Sequence, residues 1–138
     1  MTRNGLLAAR VVAGFLALFM AAYFATDNFG GDSVRRLDNP FLLPDLLIVV
    51  LLGVSAALPR RLAAPALIFS LAWSAAVWAT SLAHWLVDGE VGRGLGHLAL
   101  VLPAVAAAVV AAVSSRSSEP RSGAGGIRSS GPAPGLGG

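Results

Sequence analysis

The chain contains no cysteine, no lysine, one tyrosine and two methionines in 138 residues. Without cysteine there is no disulfide, no thiolate metal site and no cysteine nucleophile. All ten basic residues are arginine. Together with heavy Ala, Gly and Pro usage, this points to a high-GC, bacterial genome. Charge is the scarcest property: Asp, Glu, Lys and Arg make up 12% of the chain, against about 25% in soluble domains. A chain so poor in charge cannot cover a water-facing surface and calls for lipid as its solvent. Three chemical signatures are also missing: a glycine-rich phosphate loop after a strand, His-Glu-x-x-His, and Gly-x-Ser-x-Gly.

What remains is apolar. Hydrophobic residues form 56% of the sequence, gathered between Leu6 and Val113 in four stretches. A spanning helix needs roughly 20 apolar residues at about 1.5 Å rise each. The pattern predicts spans at about 6–26, 41–58, 62–87 and 95–113. Residues 1–113 thus form one all-α transmembrane domain. Arg10, in the first turns of span one, is expected to snorkel toward headgroups. Asn39 is the expected N-cap of span two, with Pro40 at its first helical position. Pro103 predicts a kink in span four. Span one has the charge and apolar run of a signal peptide. Its Ala22-Tyr23-Phe24-Ala25 region lacks a clean small-x-small cleavage site, so it reads as a retained span.

Pro59, Arg60 and Arg61 alone join spans two and three, and the link from Asp88 to Gly94 is short. Both force antiparallel neighbours, giving an up-down-up-down four-helix bundle. Beyond Val113 the composition turns to Ser, Gly, Pro and Arg. Residues 114–138 read as a disordered cytoplasmic tail, unable to bury enough apolar surface to offset ordering. With the N-terminus inside, Arg3, Arg10, Arg60, Arg61, Arg116, Arg121 and Arg128 lie on the cytoplasmic side, and Arg35, Arg36 and Arg93 outside. That bias predicts a multi-pass plasma (inner) membrane protein with both termini in the cytoplasm. The pI near 11 belongs to this orientation rather than to nucleic acid, because the arginines form no soluble basic face.

The same orientation puts Asp27, Asp32, Asp38, Asp45, Asp88 and Glu90 on the outer side, with both histidines near it. His84 and Asp88 are four apart on one helix face, and His97 opens span four at similar depth. Three readings compete. His84, His97 and Asp88, with Asp45 or Glu90, hold a divalent metal, which imidazole and carboxylate suit. Alternatively, the two histidines are axial haem ligands. In the third reading they are interfacial residues that hydrogen-bond loops and headgroups. No cofactor follows from the sequence.

Ser70, Ser74, Val77, Ser81, His84 and Asp88 alternate by four and three, so they share one helix stripe. This is either a polar path ending at His84 and Asp88, or serine used as a small packing residue that bonds back to its own helix. Trp73 and Trp78 lie deep, with Ser74 and Ser81 within helical reach of their indole N–H groups. Asp45 is the one carboxylate within a span. It is either a functional group or a first-turn acid on the helix dipole. Ala9, Ala13, Ala17, Ala21 and Ala25 recur every fourth residue in span one, as do Ala104, Ala108 and Ala112 in span four. Such ridges allow close helix approach, within the bundle or between copies.

The layout is similar to that of small four-span integral membrane proteins of high-GC bacteria. The resemblance is one of layout and carries no motif. Span one has no membrane-embedded Glu, so the chain departs from small four-span multidrug exporters. The expected function is that of a structural or accessory membrane subunit acting through helix–helix association. Its partners would be the bilayer and a second copy or another membrane protein. The alternatives are a binder of a small ligand, ion, metal or haem, including a transporter component, and an outer-face membrane enzyme using Asp45, His84 and Asp88. No nucleophile-base-orienter set can be assembled from the spacing.

Overall fold

The structure, a computed structural model, describes residues 2–30 and 39–116. They form an all-α, up-down-up-down four-helix bundle: α1 (Arg3–Ala25), α2 (Leu42–Ala57), α3 (Arg60–Val87) and α4 (Val91–Arg116), with a short 3-10 turn at Asn28–Gly30. Among the described residues there is no strand. Sequence neighbours pack side by side, α1 also meets α4, and α1 and α3 touch more sparsely across the diagonal.

Each helix contributes a stripe at helical spacing. Ala9, Ala13, Leu16, Ala17 and Met20 of α1 are buried, as are Ile48 and Leu52 of α2. They meet Ala63, Leu67, Leu71, Ala75 and Trp78 of α3, and Ala104, Ala107 and Ala111 of α4. Alanine on both outer helices keeps the core narrow, so most large apolar side chains point outward: Leu7, Phe15 and Leu18 on α1, Leu102, Val109 and Val113 on α4. In water this outer belt would be an association hazard. In lipid it is the expected surface.

Three of the helices, α1, α3 and α4, are long and apolar enough to cross a membrane, at 23, 28 and 26 residues. Helix α2 differs from the expectation. Its 16 residues give about 24 Å, short of a hydrocarbon core of about 30 Å. The cause is local. Asn39 does not cap the helix; its side-chain oxygen accepts from the Phe41 N–H at 3.0 Å and closes a turn around Pro40. The N-cap is Phe41, which makes no side-chain cap bond. Pro59 ends the far side, and α3 starts at once, two residues earlier than its apolar run.

The start of α1 and both ends of α4 move outward. Thr2 caps α1, its hydroxyl oxygen accepting from the Gly5 N–H at 3.2 Å. Helix α4 begins at Val91, four residues before the apolar run, and takes in Gly92, Gly94 and Gly96. Gly94 permits the close α3–α4 approach: a Cβ there would lie 3.2 Å from Leu86 Cδ2. The α3–α4 turn shrinks to Asp88–Glu90. The Glu90 N–H donates to the Trp85 carbonyl (2.9 Å) and the Gly89 N–H to Leu86 (3.2 Å), with Gly89 at φ +79°. This double closure around a left-handed glycine is the Schellman arrangement. Helical structure continues through Pro103 without a break. At the C-terminal end, α4 carries Ser114, Ser115 and Arg116 into the helix, so the expected tail begins later than 114. The rest of it, 117–138, lies outside the described residues, as does most of the expected outer loop, 31–38.

Candidate functional site

The antiparallel order brings four helix ends together at each pole. One pole holds the close of α1, the start of α2, the close of α3 and the start of α4. It carries Tyr23, Asp27, Asp45, His84, Asp88, Glu90, Arg93 and His97. This is where sequence reasoning places its metal, haem and enzyme candidates.

His84 Nε2 lies 3.5 Å from Asp88 Oδ2, one turn apart on α3, with both side chains about half exposed. An exposed pair of this kind contributes roughly 0–1 kcal/mol and acts only when the imidazole is charged. The ring itself is more engaged than its nitrogens. It lies 5.5 Å from Phe41, at the start of α2, and 5.2 Å from Trp85. The Arg93 guanidinium of α4 sits 5.1 Å over Trp85, and its Nε is 4.0 Å from Glu90 Oε2. Phe41, His84, Trp85 and Arg93 thus form a chain of π contacts that ties three helix ends together, at about 0.5–1 kcal/mol for an exposed cation–π pair. The Phe41 and Arg93 members leave no mark in the sequence, because their contacts cross between helices.

His97 engages its own helix instead. Its Nδ1 donates to the Arg93 carbonyl at 2.9 Å. A carbonyl only accepts, so Nδ1 carries a proton in this contact. Among the described residues no three of His, Asp and Glu are gathered closely enough to share a metal ion.

Asp45 is mostly buried, and its Oδ1 is wholly shielded from solvent without a hydrogen-bond partner. Tyr23 of α1 is within its electrostatic reach. Beyond Tyr23 the chain curls sharply. Thr26 donates its hydroxyl to Ala22 (2.8 Å) and accepts from the Phe29 N–H (3.1 Å). Asp27, Asn28 and Phe29 then adopt φ +50°, +60° and +51°. Asp and Asn tolerate this region; a phenylalanine there is strained. The curl returns the Phe29 ring to 5.8 Å from Phe19 and 6.1 Å from Tyr23, contacts that offset part of that cost.

The serine stripe runs through the core. Ser70, Ser74 and Ser81 are buried, whereas His84 and Asp88 emerge from it. Ser74 donates to the Ser70 carbonyl at 2.7 Å and Ser70 to Leu67 at 3.3 Å, both within α3. Across helices, Ser55 of α2 donates to the Ala66 carbonyl at 3.2 Å. Trp78 fills the core at 2% exposure, and its Nε1 bonds neither Ser74 nor Ser81 and has no other partner. Trp73 stands midway along α3. It faces outward, stacked 6.4 Å from Phe69. Of the alanine ridges, Ala9, Ala13, Ala17 and Ala104 are core, Ala108 and Ala112 are half-buried, and Ala21 is exposed. Arg10 does not snorkel outward: its Nη2 donates to the Leu58 carbonyl at the end of α2.

The outer wall is not continuous. Between α1 and α4 runs a groove of about 420 Å³, lined by Val11, Phe15, Phe19, Gly96, Ala99 and Pro103 among others. No charged side chain lines it. Gly96 has nothing within 4 Å of where a Cβ would stand.

Together these features define a class: a small all-α bundle in which three helices can cross a membrane. Comparison with known proteins goes no further, since no family model, no curated protein and no solved structure matches the chain.

Proposed function

We propose that this chain is a multi-pass protein of the bacterial plasma membrane, both termini in the cytoplasm, acting as an accessory subunit through helix–helix association. The α1–α4 groove carries this reading. The alanine ridges are largely spent inside the bundle, so a face for an outside helix has to be found elsewhere. The groove offers apolar walls and, at Gly96, a flat stretch of α4 that lets another backbone come close, as small residues do between membrane helices. Filling it tests the idea. Gly96→Leu is expected to abolish cross-linking of the chain to its partner or second copy in native membranes, with helicity unchanged. A wild-type chain that is alone and monomeric in its own membrane would sink this reading.

Asp45 supports a second reading, a binder of a small cation. A shielded, unpartnered carboxylate oxygen near the phenol of Tyr23 is costly to keep for packing alone. This reading expects wild-type protein, extracted gently, to carry a small non-lipid mass in native mass spectrometry that Asp45→Asn loses. Identical spectra for the two remove it.

A further inference from the structure

The opposite pole carries cations without anions. Among the described residues, Arg3, Arg10, Arg60, Arg61 and Arg116 lie where α1 begins, α2 turns into α3 and α4 ends, and no Asp or Glu lies there. The ion pairs among the described residues, His84–Asp88 and Arg93–Glu90, are both at the other pole. Two close approaches draw the arginines together. A Cβ on Gly5 would stand 3.0 Å from Ser114 Cβ, which sets the start of α1, with Arg3, against the end of α4, with Arg116. The Arg10 bond to the Leu58 carbonyl sets α1 against the α2–α3 turn, which carries Arg60 and Arg61.

That turn has its own unused donors. Helix α3 is 28 residues long, its N-cap Pro59 makes no side-chain cap bond, and its first turn contains no acid. The Pro59 carbonyl accepts from Leu62 and Ala63, and the N–H groups of Arg60 and Arg61, in the first turn, have no acceptor within the helix. The helix dipole adds positive potential there. A further, independent donor stands unused: Arg10 Nε is shielded from solvent and has no partner.

We propose that this pole binds the headgroup phosphate of an anionic phospholipid, seated at the α2–α3 turn by Arg60, Arg61 and the edge of Arg10. The proposal rests on the membrane reading above. A lipid, rather than a free anion, fits because the arginines stand directly on the outward apolar belt: Leu7 and Leu62 are both more than half exposed beside them. Cations at that level meet the phosphate plane of a bilayer, where each contributes attraction to anionic headgroups.

The experiment uses the full chain, first reconstituted into vesicles and then studied by native mass spectrometry. Phosphatidylglycerol is expected to be retained about tenfold better than phosphatidylcholine. Arg60→Gln with Arg61→Gln should remove that preference, and Arg60→Lys with Arg61→Lys should keep most of it. Arg93→Gln, a charge loss at the other pole, should leave it intact. Equal retention of the two lipids overturns the proposal, as does wild-type preference in the double Gln variant. Displacement of the lipid by equimolar inorganic phosphate overturns it in favour of a free-anion site. Alkaline carbonate separates the two layers of argument. A chain that stays in the vesicles yet shows no lipid preference refutes the headgroup site alone, and a chain that is released refutes the membrane reading beneath it.

Discussion

Trp78→Ala is expected to destabilise the bundle by about 2–3 kcal/mol, and Trp78→Phe by less than half as much. Trp78 is the largest of the fully buried side chains. In lipid, an unpacked helix still shows its side chains to hydrocarbon, so the water-transfer part of the usual large-to-small cost falls away. The packing part remains. A void on the order of 100 Å³ at about 24 cal/mol per Å³ gives the figure quoted for alanine. Phenylalanine retains most of the ring contacts and removes the one group that is out of place, the indole N–H without a partner. Leaving such a donor unsatisfied costs about 1–3 kcal/mol, so its removal offsets most of the lost volume. Reversible unfolding in mixed micelles would measure both variants. If phenylalanine costs as much as alanine, the indole N–H is bonded in the native state and the account of this core is wrong.

The outline of this bundle is legible in the sequence because run length and link length carry it. Apolar run length gives the helices, and the three-residue link Pro59-Arg60-Arg61 gives the antiparallel order. The boundaries are legible only in part. The start of α2 depends on whether Pro40 and Phe41 are helical, since the Asn39 bond to the Phe41 N–H would serve a cap as well as it serves this turn. Gly92, Gly94 and Gly96 weaken the helical signal at the start of α4, yet the helix runs through them, because Gly94 is needed for contact with Leu86 and contact outweighs propensity. The candidate site is less legible still. Spacing places Ser70, Ser74 and Ser81 on one stripe, and that stripe faces the core. Spacing within one helix cannot tell that His84 meets Phe41 of α2, or that Arg93 of α4 covers Trp85. Those contacts depend on how three helices rotate against one another. Asp27, Asn28 and Gly30 signal a turn, but nothing in the sequence marks Phe29 itself as a left-handed position.

Arg10→Leu is the second change expected to matter, with a loss of about 1.5–3 kcal/mol, the range of hydrogen bonds made by charged groups. Arg10 lies two turns into α1, yet its Nη2 reaches the Leu58 carbonyl, 48 residues away. Leu58 is the C-cap of α2, so its carbonyl belongs to the helix end whose acceptors have no partners within the helix. Pro59 follows and has no N–H with which to continue the helix or satisfy an acceptor. Arginine therefore meets two needs: it supplies the missing donor, and it sets a positive charge against the negative end of the α2 dipole. Leucine supplies neither and leaves the carbonyl bare at the end of α2. Arg10→Lys should recover part of the loss, because an ammonium carries the same charge on a different stem. Hydrogen exchange localises the effect, with protection expected to fall first around residues 54–58 and the start of α3. Uniform loss across all four helices, or no loss in the leucine variant, would show that the end of α2 does not depend on Arg10.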